Sequence, residues 1–228
     1  MRVLVIDIGG SHVKVFAGSK RKVTEIPSGR FMTPQKLLPA LKKVIDGWKY
    51  DRVSIGYPGR VRRNSIEEDA PNLGPGWRCF DFRRVLRKPV KILNDAAMQA
   101  LGSYHGGRML FLGLGTGLGS TLILEGVVHA MELGDLPFRR GRPYADYLGK
   151  AGLERLGHKQ WVRHVKTTLR QLKAALQVDY VVLGGGKAKL VGALPAGVLR
   201  GENANAFDGG VQAWEEVMRS TRPKFAFA

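Results

Sequence analysis
Cysteine is nearly missing: Cys79 stands alone among 228 residues. That excludes an intramolecular disulfide and a multi-thiolate zinc site, so no structural zinc is expected and a reducing, cytoplasmic setting is. Long apolar runs are missing as well. No stretch approaches the roughly 20 apolar residues a membrane helix needs. Met1-Arg2 leads straight into Val3-Leu4-Val5-Ile6, without the longer apolar segment and small-residue cleavage site of a secretory leader. No membrane partner is expected. An internal repeat or low-complexity tract is also lacking, which removes solenoids. Acidic residues are scarce, 19 against 37 lysines and arginines, for a formal charge of +18. Such a field attracts polyanions without saying which.

What remains is a globular composition, 44% hydrophobic and 25% charged, with 30 glycines that suggest tight turns and backbone-lined sites. Val3 to Ile6 is continuously apolar, as in a strand covered on both faces, and Val13, Val15 and Ala17 alternate as a returning strand does. Lys22 to Ile26 reads as a third strand. Thr33-Pro34 predicts an N-cap and first turn for a helix up to Gly47, with Pro39 against it. Further strands are expected at Val53–Gly56, Val90–Leu93, Met109–Gly113, Ser120–Leu124 and Tyr180–Leu183. Helices are expected at Tyr144–Leu156, His158–Gln177 and Gly209–Arg219. Hairpins first and strand–helix alternation later predict an α/β sheet with mixed pairing. A boundary is expected near Gly102 to Gly107.

Four constellations carry chemistry. In Asp7-Ile8-Gly9-Gly10-Ser11-His12-Val13-Lys14, adjacent glycines let backbone N–H groups approach a phosphate, and the strand-end carboxylate can hold Mg²⁺ through water. Leu112-Gly113-Leu114-Gly115-Thr116-Gly117-Leu118-Gly119-Ser120 suits a second anion cradle between strands, without the Lys of a Walker loop. For both, a plain glycine hairpin is the alternative. Gly184, Gly185 and Gly186 follow an apolar strand, where a ring or phosphate can lie on the backbone or the chain can simply turn into a helix. Asn94-Asp95 ends the strand Val90–Leu93: Asp95 is either the N-cap of a helix over 96–101 or a carboxylate placed to take a proton from a hydroxyl nucleophile.

The order of these four resembles the ROK family of sugar kinases and repressors, especially its polyphosphate-glucokinase-like branch. Ile55-Gly56-Tyr57-Pro58-Gly59-Arg60-Val61, Pro71-Asn72-Leu73-Gly74 with Trp77, and Glu132-Leu133-Gly134 support it. The resemblance implies the actin-like, ribonuclease H-like ATPase fold, with two lobes around a central cleft: residues 1–104 with the first phosphate loop and Asn-Asp, and 105–228 with the second loop and Gly184–Gly186. It implies a kinase phosphorylating a hydroxyl, expected the 6-OH, of glucose or a similar hexose. Asp7 would serve Mg²⁺; Gly9, Gly10, Ser11 and Lys14, then Gly115, Thr116 and Gly117, then Gly184 to Gly186 would hold the donor. Asn72, Asn94, Asp95, Glu132 and Asp135 would hold the sugar, Asp95 acting as general base. A homodimer is implied too; Phe225 and Phe227 are either candidates to pack on a partner or, equally, part of a disordered tail.

Two departures bear on this. Asp135 stands where the family commonly has His, replacing an imidazole that donates or accepts by a carboxylate that only accepts when ionised. The cysteine cluster that binds structural zinc in many members is missing, as it is in the polyphosphate-using branch. In the helix over 158–177, Val162, Val165, Leu169, Leu172 and Leu176 form an apolar stripe, and Lys159, Arg163, Lys166, Arg170 and Lys173 a basic one beside it. Arg60, Arg62 and Arg63, Arg83, Arg84, Arg87 and Lys88, and Arg139, Arg140 and Arg142 add to the surplus. An extended cationic track suits polyphosphate as donor, with ATP as a second one. The competing readings are a catalytically silent sugar-binding relative, prompted by Asp135, and a nucleic-acid-binding protein, prompted by the charge. Trp48, Trp77, Trp161 and Trp214 are scattered and no RNA or DNA module is recognisable, so no specific nucleic acid is expected.

Overall fold
The computed structural model describes residues 1–17, 22–202 and 204–215; Phe225 and Phe227 lie outside the described residues, as do Asn203 and the end of the helix expected over 209–219. The chain opens with β1 (Val3–Ile8), β2 (His12–Ala17), β3 (Lys22–Pro27), α1 (Pro34–Ile45) and β4 (Arg52–Tyr57). A small hairpin, β5 (Val61–Arg62) and β6 (Ser65–Ile66), and the short α2 (Phe82–Leu86) precede β7 (Val90–Asn94) and α3 (Asp95–Gly102). Then come β8 (Arg108–Leu114), β9 (Leu118–Leu124), β10 (Val127–Met131), and the hairpin β11 (Pro137–Arg139) and β12 (Arg142–Pro143). The chain continues through α4 (Tyr144–Leu148), α5 (Lys150–Ala175, broken by a kink at Gly157 with φ +75° and ψ 161°, where the two helices expected over 144–156 and 158–177 part), β13 (Tyr180–Gly184), β14 (Val198–Arg200) and α6 (Asn205–Gln212).

These strands build two five-stranded mixed sheets, ordered β3-β2-β1-β4-β7 and β10-β9-β8-β13-β14. Each begins with an antiparallel meander and adds two parallel strands on the other side of its first strand. The topology is therefore duplicated although the sequence shows no repeat. The two glycine turns occupy equivalent places, β1 to β2 and β8 to β9.

The continuous apolar run of β1 is explained by burial on both faces. Leu4, Ile6 and Ile8 join Leu37, Leu41 and Trp77 in one cluster, while Val3 and Val5 join Met98 and Ala206 in another. In β8, Leu110, Leu112 and Leu114 face Val165 and Leu169 of α5, and Met109 and Phe111 face Ala96 and Ala100 of α3. Helix α3 thus packs on β8 and β9 of one sheet and on β4 and β7 of the other. That wedge position is what carries its first residue, Asp95, to where the sheets meet.

Helix α1 starts as expected: Thr33 caps it, its side chain accepting from Lys36 N, with Pro34 in the first turn and Pro39 accommodated inside. Two helical expectations need correction. Tyr144–Leu156 is broken at Gly149, whose backbone is extended (φ −78°, ψ −171°) because it packs on the Thr116 carbonyl, leaving no room for a Cβ. The last helix begins at Asn205, before Gly209, with Asp208 in its first turn. Gly209 and Gly210 sit inside it because α6 crosses α3 at Met98 and Gly102 and presses on Val5.

Helix α6 is fastened to the first sheet through Ser54, which is fully buried. Its Oγ donates to Gly210 O (2.5 Å) and accepts from Trp214 Nε1 (2.9 Å). Ser54→Ala strands a buried carbonyl and an indole N–H, so a loss of about 1–3 kcal/mol is expected in denaturant melts. A change below about 0.5 kcal/mol, as at an ordinary surface site, would contradict that anchoring role.

Candidate active site
The first glycine turn is built by the β1–β2 hairpin. Gly9 N donates to His12 O (3.0 Å), closing it. A methyl at Gly10 would fall 2.5 Å from Asn72 Nδ2, so the turn and Asn72 are in close contact. Asp7, at the end of β1, lies opposite Lys14 on β2 and opposite Gly56 on β4. Burial raises its carboxyl from 3.8 to about 6, against the opposing pull of Lys14. Gly56 leaves that carboxylate space: a Cβ there would lie 3.1 Å from Asp7 Oδ1.

At the end of β7 the structure decides which of the two adjacent Asx residues caps α3. It is Asn94, whose Oδ1 accepts from Ala96 N (2.9 Å) and Ala97 N (3.2 Å) while its Nδ2 donates to Gly59 O (3.2 Å). Asp95 is the first helical residue, its Oδ1 accepting from the next amide, Ala96 N (2.7 Å). Its carboxyl is pushed from 3.8 up to about 7, first by burial and then by the like charges of Asp7 and Glu132, against the Ala96 hydrogen bond. Like-charge repulsion from Asp7 thus adds to the effect of burial on Asp95.

The second glycine turn joins β8 to β9. Gly115 N donates to Gly117 O (3.2 Å), and Thr116 O accepts from Lys150 N (3.0 Å) at the start of α5. Gly185, with φ +83°, lies directly beneath it: a Cβ there would be 2.5 Å from Leu114 O and 2.6 Å from Leu114 N. Ser120 holds the far wall, accepting from Leu133 N (3.0 Å) and donating to Met131 O (2.8 Å), so Glu132 is fixed between the two. The Glu132 carboxyl is raised by desolvation and by Asp135, with Arg60 pulling the other way.

A cavity of about 550 Å³ brings much of this together. Gly9, Gly10, Asn72, Asn94, Asp95, Gly115, Thr116, Gly117, Glu132, Asp135 and Gly185 all line it. Asp7, Ser11, Lys14, Gly184 and Gly186 are not among the lining residues, although Asp7 reaches Asp95 electrostatically. Residues that the sequence reading left out also line it: Arg60, Glu68, Gln99 and Phe111. Gln99 was recoverable, being four residues after Asp95 and hence on the same helix face. Arg60 belongs to the Ile55–Val61 stretch and to a basic cluster, neither of which assigns it to the site.

A buried carboxylate at a helix N-terminus, flanked by two glycine turns, suits transfer of a phosphoryl group to a hydroxyl. Similar proteins point the same way. The chain is 26% identical over 211 residues to polyphosphate glucokinase of Mycobacterium tuberculosis, covering 79% of this chain and 76% of that one. In structure it superposes on the inorganic polyphosphate/ATP-glucomannokinase of Arthrobacter sp. strain KM with a TM-score of 0.79, at 20% identity, over 93% of this chain and 97% of the other. The fold is that of the ROK sugar kinases. A ROK family glucokinase from Streptomyces griseus, in complex with glucose and AMPPNP, matches with a TM-score of 0.75 at 15% identity over 93% of this chain and 99% of that one. No family model matches the chain. The mixed α/β architecture expected from the sequence is the one observed, and these structures share its fold. Among the described residues, no helix is long and apolar enough to cross a membrane.

Proposed function
We propose that the protein is a glucokinase-like phosphotransferase that moves a terminal phosphoryl group from polyphosphate or ATP to the 6-OH of glucose or a similar hexose. The observation that carries this is Asp95: relieved of capping by Asn94, its carboxyl faces the cavity with its pKa raised to about 7. In the reaction the hydroxyl oxygen forms the new bond to phosphorus, the bond to the donor's bridging oxygen breaks, and the hydroxyl proton passes to Asp95. Asn72 Oδ1, buried without a partner among the described groups, is an acceptor available to a sugar hydroxyl. Glu132 and Asp135 supply further acceptors; Gly9 N and Gly115 N close their own turns, so Gly10, Thr116 and Gly117 are the turn residues whose N–H groups serve the donor.

Among the described residues no group of three or more His, Cys, Asp or Glu side chains could hold a metal by itself. Mg²⁺ keeps waters and needs only one or two carboxylates beside the donor's phosphates. Asp7, with Lys14 beside it, fits that demand; Mg²⁺ when bound would neutralise donor charge. The division into lobes 1–104 and 105–228 belongs to the same proposal, supported by the first sheet ending at Asn94 and the second starting at Arg108. Helix α6 nevertheless packs back onto β1 and β4. A cytoplasmic homodimer completes the reading.

For the donor, polyphosphate is favoured by the net charge of +18 and by α5, where Lys159, Arg163 and Arg170 are exposed beside the buried Val165, Leu169 and Leu172. Steady-state assays with each donor at rising salt test it. Polyphosphate turnover is expected, and its KM should climb with salt more steeply than that for ATP. Turnover with ATP alone would overturn the polyphosphate assignment.

A further inference from the structure
Arg60 stands among the carboxylates of the cavity mouth. Its Nε lies 3.5 Å from Glu68 Oε1 and its Nη2 4.0 Å from Asp135 Oδ2, and it moderates the raised Glu132 carboxyl. Asp135 follows β10 of one sheet and Arg60 follows β4 of the other, so this ion pair spans the cavity. The loop that carries Arg60 is tied down at several points. Gly59 O accepts from Asn94 Nδ2, Arg60 O accepts from Glu67 N, and Tyr57 Oη donates to Glu68 O while accepting from Ala70 N. A Cβ on Gly59 would come 2.9 Å from the Tyr57 ring, so the turn needs its glycine. Arg60 is therefore positioned, through Asn94, by the same residue that caps the helix starting at Asp95.

The pairing itself is loose. At 4.0 Å the Arg60–Asp135 contact is an ion pair and too long for a direct hydrogen bond, and the two side chains are 58% and 71% exposed. Such a pair contributes only about 0–1 kcal/mol, so hydroxyl groups can come between the partners at little cost. Asp135 ionised offers acceptors alone, whereas the guanidinium offers a planar set of donors. Together they match two neighbouring hydroxyls, one taken as donor and one as acceptor.

We infer that Arg60 and Asp135 read one vicinal hydroxyl pair of the sugar, making Arg60 a specificity-determining residue. Glu68 holds the guanidinium for this task. The surrounding Glu68, Glu132 and Asp135 outnumber the single guanidinium, so the mouth takes neutral hexoses and repels sugars that already carry an anionic group. The inference rests on the kinase reading above.

The test uses Arg60→Met, which keeps the apolar stem, and Arg60→Lys, which keeps the charge without the fork. Hexose binding without donor is read by calorimetry, and kinetics are read on glucose and its single-centre epimers. Arg60→Met should weaken hexose binding and raise sugar KM about tenfold, keep kcat and donor KM within about threefold, and flatten the ratio of kcat/KM between epimers. Arg60→Lys should recover part of the affinity but not the epimer ratio. Unchanged hexose affinity and epimer ratio in Arg60→Met, with wild-type turnover intact, would overturn this inference alone. A drop in melting temperature with the epimer ratio preserved would mark Arg60 as structural and overturn it equally. Wild-type protein that phosphorylates no hexose from either donor would remove the kinase reading; if it also binds no hexose, the inference falls with it.

Discussion

Asp95→Asn is expected to lower kcat by about 10²- to 10⁴-fold while hexose affinity stays within about threefold. The amide keeps the size and one hydrogen-bonding oxygen of the carboxylate but does not accept a proton. Stability should move in the opposite direction. The Asp95 carboxyl titrates at about 7 in the folded chain against 3.8 ordinarily. Between those values the folded state holds a proton that the unfolded chain has released, so stability falls as pH rises through this window. Above it the charged carboxylate sits desolvated beside Asp7 at full cost. Removing the charge should therefore stabilise the protein at pH 8 by on the order of 2 kcal/mol, with no gain below pH 4. The same titration makes wild-type kcat/KM rise with pH through about 7, since the base acts only when ionised. Near-normal turnover in the Asn variant would take Asp95 out of the base role.

Gly185→Ala should damage the donor side specifically. The residue needs φ +83°, and its Cβ would fall 2.5 Å from the Leu114 carbonyl oxygen and 2.6 Å from its nitrogen. Leu114 leads into the Gly115–Gly117 turn, and its carbonyl already accepts from Lys187 N (3.1 Å). Backbone against backbone leaves no side-chain rotamer to absorb the clash, so the turn must shift. A loss of about 2–3 kcal/mol in stability is expected, with donor KM rising about tenfold or more and sugar KM changing less. Gly186→Ala is the internal control, because a Cβ there meets nothing within 4 Å, and it should stay within about 0.5 kcal/mol of wild type. Equal effects from the two substitutions would contradict the placement of Gly185 beneath the turn.

Much of the sheet structure was legible because burial on two faces leaves a local mark: Val3–Ile6 and Met109–Gly113 are unbroken apolar runs, Val53–Gly56 is interrupted by the buried Ser54, and all three lie in inner strands. The Thr33-Pro34 start was equally local. What was not legible depends on contacts distant in sequence. The break at Gly149 exists because the Thr116 carbonyl packs there, and glycines inside α6 reflect its close crossing of α3. β10 was missed because it is an edge strand without fully buried residues. In the candidate site, the glycine turns and Asn94-Asp95 could be read as chemistry, but two adjacent Asx residues compete for one cap, and only the fold assigns it to Asn94. Arg60 stands in a quoted stretch and a basic cluster, but its place at the cavity is not legible there, because its partners Glu68 and Asp135 come from separate segments.

The most direct test of the account is formation of hexose 6-phosphate from glucose with polyphosphate or ATP as sole phosphoryl donor, comparing wild type with Asp95→Asn. The account predicts product from the wild type, with polyphosphate as an effective donor, and a loss of about 10²-fold or more in the variant. A folded wild-type protein that forms no hexose phosphate from either donor would contradict it.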